Sequence, residues 1–274
     1  MQKFMKYAQL LFLLSMIFAN AYAWNSLGHR LVVQIACDHL NSQTLSVLNQ
    51  YNRALDRSGR RSLVGSASWL DTLRRPDELW MQPMHYINIP YAADNTPTKP
   101  PNTLNAVSSI NKAMEVLNNP HASRQDKGFQ LRVLMHVVGD IHQPLHSTSL
   151  FSKRFPQGDK GGNLFRLKHN AVADNLHAYW DKGGGLLVKK QRDSNTMLRR
   201  RALAIEKRWP CDAKAQVLDP QLWANESHQI AVKEAYAIPY FTKPSKLYKR
   251  RVNKISEQRI ALAGCRLATL LNRG

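Results

Sequence analysis

Leu134-Met135-His136-Val137-Val138-Gly139-Asp140-Ile141-His142-Gln143-Pro144-Leu145-His146 decides how the rest of the chain is read. The run just before it, Phe129 to Met135, has apolar residues at helical spacing, so the stretch continues a helix. His136 and Asp140 are four residues apart and share one face of that helix. Pro144 cannot lie inside it and is expected to end it, turning His146 back toward the same region. Two nitrogens and a carboxylate then converge on one spot, which suits a divalent cation, zinc above all. A lone histidine on an apolar helix is more often a core residue than a ligand. Here the spacing recurs: Asn175-Leu176-His177-Ala178-Tyr179-Trp180-Asp181 again sets a His and an Asp four apart on a helix. Two such pairs, with more His and Asp upstream, point to a site for several ions. His142, two residues after Asp140, faces the opposite side of the helix and reads as core or as support for a ligand.

Outward from this centre, the 274 residues are 43% hydrophobic, enough for a sizeable core. Residues 1–23 read as a secretory signal peptide. Lys3 and Lys6 form its basic end, Leu10–Ala19 its short apolar stretch, and Ala21-Tyr22-Ala23 a cleavage site before Trp24. Residues 24–274 would form one domain, exported to the periplasm or the medium, with no membrane anchor after cleavage and no stable protein partner. The formal net charge is +20, and loss of Lys3 and Lys6 lowers it by only two. The cations are spread along the chain, from Arg57, Arg60 and Arg61 through Lys189, Lys190 and Arg192 to Arg250 and Arg251. So basic a chain is attracted to polyanions, with nucleic acid and anionic membrane both candidates. Of three cysteines, Cys37 lies on an apolar helix face and reads as core, which favours a Cys211–Cys265 disulfide. There is no Cys-x-x-Cys, so any zinc is held by His and carboxylate.

The apolar pattern predicts helices near 27–49, 67–73, 104–117, 127–143, 174–181, 193–208, 220–237 and 247–271. Pro76 is expected to close the second of these, and Pro90 to end an extended run over 86–89. Residues 147–167 carry Pro156, Gly158, Gly161 and Gly162 before the alternating Leu164-Phe165-Arg166-Leu167, as in a small β-hairpin or a long loop. The expected architecture is mainly α, in a single helical domain.

Six short motifs occur in order along 24–274: Trp24-Asn25-Ser26-Leu27-Gly28-His29, Ala67-Ser68-Trp69-Leu70-Asp71, His85-Tyr86-Ile87-Asn88, the His136–His146 run, Gly161-Gly162-Asn163, and His177-Ala178-Tyr179-Trp180-Asp181. Together they resemble the S1/P1 nuclease family, whose fold is shared with zinc phospholipase C. The resemblance implies a helical domain with three zinc ions in a cleft. One ion would be held by Asp71, His85, His136 and Asp140, and a second by His146, His177 and Asp181. The third would be held by the amine and carbonyl of Trp24, by His29 and by a bridging Asp140. It further implies hydrolysis of single-stranded DNA and RNA to 5′-phosphate products, and removal of 3′-phosphates from nucleotides. Asp71 would also orient or deprotonate the attacking water, and Arg74 would clamp the phosphate. Tyr86 would stack on a nucleobase. Asn88 stands where fungal members carry an acid, and Lys182 where members have Asn after the equivalent Asp, so both bear on substrate preference.

The competing reading is a zinc phospholipase C acting on lipid head groups. Asp181, where the phospholipases carry Glu, and the basic charge favour the nuclease.

Overall fold

The computed structural model describes residues 24–56, 58–92, 94–188 and 194–273. The expected signal peptide lies outside them, as do Arg57, Lys189, Lys190, Arg192 and Asp193. The described chain is mostly helical, as the apolar spacing predicts.

Helix α1 spans Ser26–His39 and starts where the Asn25 side chain accepts from the amides of Leu27 and Gly28. It buries Leu27, Leu31, Val32 and Ile35. The single helix expected over 27–49 is in fact two. Leu40 is extended (ψ 139°), and Asn41 opens α2, Ser42–Leu55, by accepting from the Thr44 amide at 2.8 Å. A short polar side chain that can cap a new turn here outcompetes continuation of the old one. The helix expected over 67–73 is also displaced. The ordered pieces are α3, Leu63–Ser66, and a 3-10 turn, Leu70–Thr72. Pro76 does not close a helix; it opens a 3-10 segment, Pro76–His85, where its missing N–H costs nothing.

The expected β-hairpin is corrected as well. Strand β1, Pro90–Ala92, pairs in parallel with β2, Ser149–Phe151, in the register Pro90–Ser149, Tyr91–Leu150 and Ala92–Phe151. Pro90 begins a strand, a position proline tolerates. The other side of β2 is taken by Asp159, whose carboxylate accepts from the Leu150 amide at 2.9 Å and whose amide donates to the Leu150 carbonyl. That leaves no edge for a hairpin partner at Leu150.

Between the strands lie α4, Ala106–Asn118, and α5, Arg124–Ile141. After β2 come α6, Leu176–Asp181; α7, Asn195–Arg208; α8, Pro220–Ile230, which runs into a π turn at Ala231–Ala235; and α9, Lys246–Arg273. Helix α5 is buried from Leu131 to Ile141. Its end passes from one apolar cluster, which includes Leu134 and Ile141, toward a second, built on Leu145, Leu176 and Trp180. The ligand-rich run thus crosses between two packed bodies. Helices α1 and α9 touch closely at Gly264, where a Cβ would stand 2.5 Å from the Ile35 side chain. Cys211 and Cys265 form the disulfide that the sequence favoured, and Cys37 is a free thiol packed against the core.

A buried ionic network fixes the end of α5. Glu226 accepts from Arg266 through both carboxylate oxygens at 2.7 Å and from Arg259 at 3.0 Å. Arg266 also reaches His142 Nε2 at 3.0 Å, while His142 Nδ1 donates to the Val138 carbonyl. Burial, with Arg259 and Arg266 beside it, holds His142 well below its ordinary pKa, so it stays neutral and accepts. His142 therefore belongs to the packing behind the centre, away from the ligand set.

Candidate metal centre

Three of the five histidines are aimed by backbone carbonyls. His136 Nδ1 donates to Ala67 O (2.9 Å), His146 Nδ1 to His85 O (2.6 Å) and His177 Nδ1 to Gly161 O (2.6 Å). A carbonyl only accepts, so the proton sits on Nδ1 and each Nε2 turns a lone pair inward. His146 Nε2 and His177 Nε2 face each other at 3.1 Å, and Asp181 Oδ2 lies 3.6 Å from His177 Nε2. Two inward lone pairs at that distance repel unless a cation or a proton lies between them. His146, His177 and Asp181 form one group whose ligand atoms lie within 4.8 Å of one another.

The other two groups share His136: His85, His136 and Asp140, and His29, Asp71 and His136. Asp140 Oδ2 is 3.0 Å from His85 Nδ1 and 3.4 Å from His136 Nε2, and Asp140 Oδ1 is 3.3 Å from His29 Nε2. Asp71 Oδ1 is 3.5 Å from His136 Nε2. His29 stacks on His136 with ring centroids 3.9 Å apart. Gly139 makes that stack possible, because a Cβ there would stand 2.8 Å from His29 Nδ1.

The residues fit a metal. Both ring nitrogens of His29 and Oδ1 of Asp140 are buried without a hydrogen-bond partner, although they lie side by side. Such groups are costly unless something binds them. The charges also conflict when only protons are available. Burial pushes His29 down to about 3, with His136 acting in the same direction. Burial also opposes charge on His136, but Asp140 and Asp71 outweigh it and raise His136 to about 9. Burial lifts Asp181 well above the usual carboxylate range. Burial also opposes charge on Asp140 and on the partly buried Asp71, yet the neighbouring imidazoles hold both below that range. Divalent ions would satisfy the carboxylates and the inward lone pairs together.

The structure thus brings His29, Asp71, His85, His136, Asp140, His146, His177 and Asp181 together. Trp24 is fully buried just before α1, packed on Gly28, the residue that precedes His29. Tyr86 is half-buried and lines a cavity with Asn88. Arg74 is exposed and follows Leu73, which is extended, so it does not continue the turn that carries Asp71. Lys182 caps α6, and its ammonium donates to the Val172 carbonyl at 2.8 Å.

Two supporting residues escaped the sequence. Gln143 donates to Asp181 Oδ1 at 2.7 Å and accepts from the Leu145 amide at 2.6 Å. It thereby ties the 3-10 turn Pro144–Ser147, which carries His146, to α6. Asp159 is buried and accepts from Tyr236 Oη as well as from Leu150, so it anchors the loop whose Gly161 carbonyl orients His177. Gln143 lies inside the ligand-dense run and Asp159 two residues before the Gly-Gly pair, and position is the only signal either gives.

The fold and this centre define a helical protein built around a candidate metal site. A family model described as S1/P1 Nuclease matches residues 24–274, and the chain belongs to that family. It is 27% identical over 285 residues to Endonuclease 4 of Arabidopsis thaliana, covering 95% of this chain and 92% of the relative. It is 26% identical over 278 residues to Nuclease S1 of Aspergillus oryzae, covering 92% and 91%. To Nuclease P1 of Penicillium citrinum it is 27% identical over 167 residues, or 58% and 57% of the two chains. The protein is a hydrolase of the nuclease type, with nucleic acid as its substrate class. These relatives do not favour the phospholipase reading.

Proposed function

We propose that this protein is an exported zinc enzyme that cuts single-stranded DNA and RNA to 5′-phosphate products and removes the phosphate of 3′-nucleotides. The observation that carries this reading is the convergence of three His/Asp groups, with inward lone pairs and buried unpartnered atoms, in a chain of the S1/P1 family. Zinc would be held by Asp71, His85, His136 and Asp140; by His146, His177 and Asp181; and by Trp24, His29 and Asp140. Bound there, the ions would offset phosphate charge and make a water acidic enough to attack near neutral pH.

The chain's own groups do the positioning. Asp71 is the least buried of the carboxylates here and orients or deprotonates the attacking water as well as binding metal. Arg74 clamps the phosphate from the exposed side. Tyr86 offers a ring face to a base, and every base has one, which suits single strands. Asn88 both donates and accepts, so it reads a base edge differently from an acid. Lys182, tied to Val172, fixes the end of α6 beside Asp181.

Export is supported by the leader-like composition of residues 1–23 and by a family match that begins at Trp24. No described helix is long and apolar enough to cross a membrane. Cleavage before Trp24 would free its amine. A peptide nitrogen has no basic lone pair, whereas an α-amino group titrates at about 7.7–8.0 and more readily loses its proton beside a cation.

The test is to incubate the protein with single-stranded DNA, RNA, 3′-AMP and phosphatidylcholine, with and without chelator. Chelator-sensitive hydrolysis of the first three supports the reading, and turnover of the lipid alone overturns it.

A further inference from the structure

Beside the metal centre lies a cavity of about 200 Å³ that none of the proposed roles explains in full. Its wall is interleaved with the ligand-bearing segments. Tyr86 follows His85, Ser149 lies three residues after His146, and Lys160 precedes Gly161, whose carbonyl orients His177. Among the described residues lining it, the only charged ones are Lys99 and Lys160. The Lys99 ammonium donates to Gln157 Oε1, another lining residue, and keeps further N–H donors available.

Lys160 is the more telling of the two. Its backbone is left-handed, with φ +55°, a conformation its neighbours Gly158, Gly161 and Gly162 adopt without penalty but a lysine does not. The strain is held in place. The Asn163 side chain donates to the Lys160 carbonyl at 2.8 Å, and Asp159 is locked to Leu150. A costly conformation kept by its surroundings at the edge of a site points to use of the side chain it aims. A concave, acid-free wall with two ammonium groups suits an anion.

We propose that the part of this cavity lined by Lys99 and Lys160 is a subsite for the phosphate on the 5′ side of the nucleoside whose 3′-phosphate is hydrolysed, with the two lysines as its donors and Tyr86 and Asn88 left to the base of that nucleoside. The proposal rests on the 3′-side cleavage reading above. Nucleotides inside a chain and 3′,5′-bisphosphates carry that second phosphate, and 3′-monophosphates lack it. The enzyme therefore favours polynucleotides over 3′-mononucleotides through binding at a place the metals do not reach.

The experiment compares kcat/KM for phosphate release by the zinc-loaded protein processed to Trp24, from adenosine 3′,5′-bisphosphate and from adenosine 3′-phosphate. The expected ratio is about tenfold or more, the size of one charge-assisted hydrogen bond. In Lys99→Gln/Lys160→Asn the ratio should fall toward one, through KM for the bisphosphate; asparagine tolerates the left-handed backbone. The control Arg124→Gln/Lys207→Gln removes two exposed cations elsewhere and should keep the ratio. A wild-type ratio near one, or an equal fall in the control, overturns the proposal. Because Lys160 adjoins the loop that orients His177, Lys99→Gln alone is measured too, with zinc per chain, and should lower the ratio with zinc unchanged. If neither nucleotide is hydrolysed, the 3′-side reading fails, and binding of 5′-AMP decides the subsite. Binding lost in the double variant supports it, and absent or unchanged binding overturns it.

Discussion

Asp140→Asn removes one charge and almost no volume. Asp140 is fully buried, and its two oxygens meet three histidines: Oδ1 faces His29, and Oδ2 faces His85 and His136. An amide keeps one oxygen but replaces the other with an N–H2 group that cannot ligate. In the proposed centre Asp140 serves two of the three ions, so the variant should lose both. At zinc about 100 times each dissociation constant, each ion contributes about 2.7 kcal/mol of stability, and losing two removes about 5 kcal/mol. For a domain of this size that is a fall of about 10–20 °C in Tm. The assay is a pair of thermal melts, in zinc and in chelator, with zinc per chain measured on the same samples. The deficit should appear in zinc and shrink to a few degrees in chelator, because both proteins then lack the ions. An equal rise in Tm with zinc for both proteins, or a deficit that persists in chelator, would make Asp140 a structural residue and refute the bridging role.

Glu226→Gln leaves buried Arg259 and Arg266 without their anion and should lower the free energy of unfolding by about 3 kcal/mol in urea titrations. A change below about 1 kcal/mol would mean that the network does not hold α8 and α9 together. Burial raises the Asp159 carboxyl to about 6 in the folded state, so its unfolded form releases the proton first. Stability is then fullest below about pH 4 and falls by about 3 kcal/mol as pH rises to about 6; Asp159→Asn should lack this slope, and matching slopes in the two proteins would contradict the assignment. A single methionine left before Trp24 should cost one zinc per chain and about a hundredfold in turnover, and equal zinc and turnover would leave the Trp24 amine without a role.

What the sequence reveals follows the range of each interaction. The pairs His136/Asp140 and His177/Asp181 are legible because one helical turn places both members on one face, and α5 and α6 form where the pattern puts them. His142 is excluded from the ligands by the same geometry and is found against Arg266. The wider set, from Trp24 to Asp181, is legible only through the order of its motifs, because no local spacing links His29 to Asp140. The parallel pairing of Pro90–Ala92 with Ser149–Phe151 is not legible at all. It joins segments on either side of α4 and α5, and its second edge is closed by a side chain, Asp159. The break after His39 turns on whether Asn41 caps a new helix or is carried along in the old one, and composition does not decide that. Gln143 and Asp159 act through backbone amides, of Leu145 and Leu150, whose positions exist only in the fold.

The most direct measurement is end-group analysis of a single-stranded oligonucleotide cut by the zinc-loaded protein, repeated after exhaustive chelation and after zinc is restored. Fragments should carry 5′-phosphate and 3′-hydroxyl ends, disappear on chelation and return with zinc. Fragments ending in 3′-phosphate, or cleavage undiminished by chelation, would contradict a zinc centre built from these histidines and aspartates.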